Sequence, residues 1–115
     1  VASTNATFMN GVPELLVLRL LRDREMYGYE IVQAIRAETG EVVSLGEGVV
    51  YPLLHALERA GALTARRAAV NGRSRIYYAL SPPGAARLTE MASLWSRLTG
   101  ALQQVMTGGG HVQGV

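Results

Sequence analysis

A mainly helical α+β domain is what this 115-residue sequence predicts, and three observations carry the prediction. Helical character begins at Tyr27-Gly28-Tyr29-Glu30-Ile31. A second helical run, Gly48-Val49-Val50-Tyr51-Pro52-Leu53-Leu54-His55-Ala56-Leu57-Glu58, follows after a short gap. Two alternating stretches then flank Asn71-Gly72 and end on Arg75-Ile76-Tyr77-Tyr78, with arginines on both sides of the turn. Helix, helix and arginine-tipped hairpin in that order describe a winged helix-turn-helix. Such a unit sets one helix in the DNA major groove and a basic wing beside it. The expected organisation is a flexible N-terminal arm (1–10), a winged helix-turn-helix DNA-binding domain (11–80), a C-terminal dimerisation helix (81–106) and a disordered tail (107–115).

Pro13 suits an early position of the first helix, which should run to about Arg24. Leu15, Leu16, Val17, Leu18, Leu20 and Leu21 are apolar nearly all round it. A helix apolar on every side must be buried on every side, so contact with a second subunit is expected here. The second helix covers roughly Gly28 to Thr39, with Tyr29, Val32, Ile35 and Arg36 at helical spacing and Ile31 beside them. Gly40 supplies its stop. Ser44-Leu45-Gly46-Glu47 has the form of a capping box and should start the third helix, which ends at Gly61. Val50, Leu53, Leu54 and Leu57 form its inward stripe. The opposite face carries Gly48, Tyr51, Pro52, His55 and Arg59, and Pro52 predicts a local distortion there.

Asn71-Gly72 is a strong two-residue hairpin signal between 63–70 and 73–80. The turn sets Val70 opposite Arg73 and Arg66 opposite Tyr77. One face then collects Leu63, Ala65, Ile76, Tyr78 and Leu80, the other Arg66, Arg73, Arg75 and Tyr77. Ser81-Pro82-Pro83 opens a last helix, on which Leu88, Met91, Trp95, Leu98, Leu102 and Val105 alternate steps of three and four. That is an a/d seam of nearly three heptads, read as the dimer helix because a protruding helix cannot bury it alone.

Composition narrows the function. A hydrophobic share of 49% with 17% charged residues suggests apolar surface reserved for self-association. With no cysteine, disulfides, thiol sensing and zinc fingers are excluded, and His55 and His111 lie too far apart in sequence to suggest a helical metal pair. No cofactor is expected. No apolar run approaches the ~20 residues of a membrane span, and no signal segment is visible, so a cytoplasmic protein is expected. Residues 1–61 carry five arginines against eight acids, whereas 62–78 carry Arg66, Arg67, Arg73 and Arg75 with no acid. A basic tip on a near-neutral body fits phosphate contact at one place. All eleven basic residues are arginine, a bias ascribed to a GC-rich coding genome rather than to function.

These residues resemble the PadR family of bacterial transcriptional regulators, in its short branch with a single C-terminal helix. The resemblance runs from about Asn10 to Met106. It is most specific at Tyr27-Gly28-Tyr29-Glu30-Ile31, Tyr51-Pro52-Leu53-Leu54 and Arg75-Ile76-Tyr77-Tyr78. It implies a homodimeric winged-helix repressor on a palindromic operator in double-stranded DNA, released by a small molecule. Trp95-Ser96-Arg97 is similar to the C-terminal helix of multidrug-binding members, which implies a flat aromatic effector held between the two copies of Trp95. Two positions depart from the family pattern. Val49 stands where a threonine or serine is usual, and Leu80-Ser81-Pro82-Pro83-Gly84 carries a proline pair.

The expected DNA contacts are Gly48, Tyr51, Pro52 and His55 on the groove-facing helix and Arg73 and Arg75 on the wing, with Tyr27 and Ser44 as phosphate contacts. The alternative is a small-molecule sensor of the same fold with weak or lost DNA binding, favoured by Val49 alone. An enzyme is rejected, since no nucleophile–base pairing or metal cluster is present.

Overall fold

A computed structural model describes residues 11–108. The arm expected at 1–10, and residues 109–115 of the expected tail, lie outside the described residues. Helix α1 (Val12–Asp23) starts with Pro13 in its first turn, where a missing amide costs no helical bond. Val17, Leu18 and Leu21 are fully buried, while Leu15, Leu16 and Leu20 are only partly covered. Within one subunit the helix is therefore buried on one face.

Strand β1 (Met26–Tyr27) follows, a two-residue element unforeseen in the sequence. It pairs antiparallel with β3, Met26 opposite Tyr78 and Tyr27 opposite Tyr77. Helix α2 (Gly28–Glu38) opens where the Tyr27 amide donates to Glu30 Oε1 at 3.1 Å. Its core stripe is Ile31, Val32 and Ile35, with Tyr29 left outside at 49% exposure. Gly40 takes the left-handed conformation (φ +59°) and ends the helix as expected.

Helix α3 (Glu47–Arg59) begins three residues after Ser44, and Gly46 stands at its N-cap without a side-chain bond. The expected capping box is not formed. Thr39 organises the connection instead: its hydroxyl donates to the Ile35 carbonyl at 2.7 Å and accepts from the Val43 amide at 3.0 Å. The helix runs unbroken through Pro52, so the expected distortion does not interrupt it. Val50, Leu54 and Leu57 are buried and Leu53 is partly covered.

Strands β2 (Leu63–Val70) and β3 (Arg73–Leu80) keep the expected register, Val70 opposite Arg73 and Arg66 opposite Tyr77. Asn71 and Gly72 both take positive φ (51° and 77°), the type of turn that matches strand twist. The sheet order is β1-β3-β2. Of the face expected to be apolar and inward, only Leu63 and Tyr78 are fully buried, while Ala65 and Ile76 are exposed. The hairpin tip extends beyond the core.

Helix α4 (Pro82–Thr107) is capped by Ser81, whose hydroxyl accepts from the Gly84 amide at 3.1 Å and donates to the Gly61 carbonyl at 2.6 Å. Gly84 lies so close to α3's exit that a Cβ there would strike the Ala62 carbonyl. The helix includes Thr107, one residue beyond the expected end at 106, and stops at Gly108 with φ 68°. Twenty-six residues make a rod of about 39 Å at 1.5 Å per residue. Its first third is docked: Leu88, expected in the intersubunit seam, is buried in the subunit's own core, and the partly buried Met91 packs against that core. Arg87 Nε to Glu14 Oε2, at 2.5 Å, ties this part of α4 to α1. Beyond Leu98 the helix leaves the body, and among the described residues no helix is long and apolar enough to cross a membrane.

Candidate nucleic-acid interface

The outer face of α3 and the wing converge on one cleft of about 380 Å³. Tyr51 and His55 enter it from α3, Arg67, Ser74, Arg75, Ile76 and Tyr78 from the hairpin, and Tyr27 and Gly28 from the start of α2. His55 is exposed and Tyr51 half-buried. The Tyr51 ring lies directly over Gly28, where a Cβ would overlap it. Glycine between the two tyrosines of Tyr27-Gly28-Tyr29 thus lets α3 approach α2. Tyr51 serves this packing as well as facing the cleft. Burial, and secondarily the Glu47 carboxylate one turn away, push its phenol above the ordinary value.

Gly48 and Pro52 sit exposed on α3, and Ser44 lies exposed two residues before the N-cap. None of these three lines the cleft. Pro52 has no amide to donate to the Gly48 carbonyl, so the helical bond between these two residues is not made. Nothing crowds the Gly48 Cα position, and its exposed backbone permits close approach.

On the outer face of the sheet four side chains form a ladder. Arg75 lies over the Tyr27 ring at 4.3 Å, Tyr27 meets Tyr77 edge-on with centroids 5.5 Å apart, and Arg66 lies over Tyr77 at 5.0 Å. Beyond it, Glu25 accepts from Arg66 through both carboxylate oxygens, and that pairing holds the Glu25 carboxyl below its ordinary value. Tyr27, expected as a phosphate contact, supports Arg75 and fixes the wing's root. Arg73, next to the turn, is exposed and unpaired among the described residues.

Arg67 was missed as a site residue. Strand parity carries the signal, because Leu63, Ala65 and Arg67 alternate onto one face and Arg67 pairs with Ile76. Ser74 was missed with it, and the Arg67 guanidinium donates to its hydroxyl at 3.2 Å.

At the far end of the molecule, Leu94, Trp95, Leu98, Leu102, Val105 and Met106 are 42–80% exposed. Trp95 and Leu98 line a shallow apolar recess of about 180 Å³ with Gly11, Leu15, Met91 and Leu94. No group of three or more potential metal-ligating side chains occurs among the described residues.

Known proteins agree with this architecture. The sequence pattern of the "Transcriptional regulator PadR-like family" matches residues 17–90. Transcriptional regulator Rv3488 of Mycobacterium tuberculosis is 33% identical over 93% of this chain and 94% of its own length. A PadR-family transcriptional regulator from Eggerthella lenta superposes with a TM-score of 0.77 at 27% identity, covering 91% of this chain and 90% of that one. Bacillus subtilis PadR, solved in complex with operator DNA, gives 0.65 at 29% identity, over 69% of this chain and 45% of that longer one. With a family match over residues 17–90 and relatives of this fold that are transcriptional regulators, this winged helix-turn-helix is a transcriptional regulator with a DNA-binding fold, not an enzyme, and the chain belongs to the PadR-like family.

Proposed function

We propose that this regulator is a homodimeric repressor that binds a palindromic operator through α3 and the wing and is released by a small, flat aromatic molecule. The observation that carries the DNA reading is the cleft, where Tyr51 and His55 face Arg67, and Arg75 borders the opening from the outer face of the wing, with no acidic side chain in the lining. Arginine forks there suit phosphate oxygens and guanine edges. His55, Gly48 and Pro52 approach bases on the outward face of α3, Arg73 reaches the backbone from the wing tip, and Ser44 meets a phosphate before the helix.

The dimer reading rests on the exposed apolar run of α4, in which Trp95, Leu98, Leu102 and Val105 follow the heptad steps and Leu94 and Met106 widen the strip. A second copy covers such a strip and fixes the spacing of two α3 helices at about one helical turn of DNA, roughly 34 Å. Trp95 then offers an indole beside an apolar recess, and two indoles across the axis leave a slot for a planar compound. A compound that prefers a dimer with altered spacing releases the operator. The test is retardation of DNA from directly upstream of the protein's own gene, repeated with a panel of planar cationic dyes. Retardation that a dye reverses, with matching quenching of Trp95 fluorescence, supports the reading. Retardation that no dye affects removes the effector part, and no retardation removes the repressor part.

A further inference from the structure

Arg66 and Arg67 are neighbours in sequence with one charge each, yet strand alternation sends them to opposite faces of the wing. Arg66 lies on the outer face, held by both oxygens of Glu25 and stacked on Tyr77. Its charge is matched locally and its planar fork is occupied. Arg67 lies on the inner face, in the cleft with His55 and Tyr51. Among the described residues its side-chain hydrogen-bond partner is the neutral Ser74 hydroxyl at 3.2 Å and it forms no ion pair, while Glu58 borders the adjoining recess that Arg67 also lines. A guanidinium with four of its five donors unspent, aimed between a helix and a basic wing, has the chemistry of a phosphate clamp.

We propose that Arg67 seats a backbone phosphate of duplex DNA in the cleft between α3 and the wing, and that Arg66 makes no DNA contact but fastens the wing to the body through Glu25. The proposal rests on the DNA-binding reading above. It adds strand β2 to the interface and divides an apparently uniform basic tip into a working charge and a structural one. Ser74 positions Arg67 from the neighbouring strand.

The test measures affinity of the intact chain for a fluorescent mixed-sequence duplex, two to three helical turns long, as salt is varied. Each phosphate neutralised contributes about 0.9 to the slope of log K against log salt. Arg67→Ala and Arg67→Gln should each flatten the slope by about that amount. Arg66→Ala should leave the slope unchanged while lowering the thermal midpoint, and Glu25→Gln should do the same. An unchanged slope in both Arg67 variants, with the parent slope steep and the circular dichroism native, overturns the proposal alone. Equal flattening by Arg66→Ala also overturns it. A parent chain that binds the duplex without salt dependence overturns the DNA-binding reading along with it.

Discussion

The two ends of this molecule are finished differently. At the α3–wing end the polar groups converge, with Arg75 stacked on Tyr27, Arg67 bonded to Ser74 and Tyr51 seated on Gly28. At the distal end of α4 the exposed side chains are apolar, and Val105 and Met106 are 75% and 80% exposed. Both ends are unsatisfied, but for opposite kinds of partner. One suits an anion and the other an apolar surface, with the core of α1, α2 and α3 between them closed on itself. The difference teaches that DNA contact and self-association use separate surfaces, so substitutions in the wing should lower DNA affinity and spare the subunit count, whereas loss of the dimer should also weaken operator binding by unpairing the two α3 helices.

The largest effect should come from Leu98→Asp. An unpaired carboxylate buried against apolar side chains costs several kcal/mol, so sedimentation should show a folded monomer with native circular dichroism. A folded dimer would move the interface elsewhere. Leu54→Ala, in the closed core, should cost about 2–5 kcal/mol in a denaturant titration without altering the subunit count of the folded fraction. Next in size, Arg73→Ala with Arg75→Ala should weaken binding to every duplex alike and flatten the salt slope by about 1.8, leaving sedimentation unchanged. Affinity within twofold of the parent at physiological salt would refute the wing's part.

A smaller effect is expected from Trp95→Ala. It should abolish quenching by planar dyes while leaving a dimer; a monomeric variant would instead make Trp95 mainly a packing residue. The smallest is a pH effect inside the body. Burial raises the Tyr51 and Tyr78 phenols above their ordinary value, with Glu47 and Glu58 adding to it respectively. Their contribution to stability is complete below the unfolded tyrosine value near 10 and is lost as pH rises through the higher folded values. Tyr78→Phe should make the alkaline decline of the thermal midpoint shallower.

Local signals made most of this legible in the sequence. Asn71-Gly72 defined the hairpin and its register because a two-residue turn leaves one pairing. Ser81-Pro82-Pro83 located the start of α4 because the cap and the proline act within one turn. What stayed hidden depends on partners distant in sequence. Strand β1 exists only through Tyr77 and Tyr78, some fifty residues away. Arg66 is neutralised by Glu25, forty-one positions earlier. Leu88 fits the heptad steps as well as Leu98 does, yet it is 3% exposed and Leu98 50%, because the body reaches only the first turns of α4. Periodicity identifies a stripe but not which subunit covers it. Ser44 failed as a cap because Thr39, at the other end of the connection, holds the loop in a path that starts α3 later.

Amide hydrogen exchange, followed by mass spectrometry with and without the duplex, tests the division of labour directly. Addition of DNA should slow exchange most in 47–59 and 63–80, while dilution of the protein should speed exchange in 95–107 first. Protection by DNA along distal α4, with α3 and the wing unchanged, would contradict it.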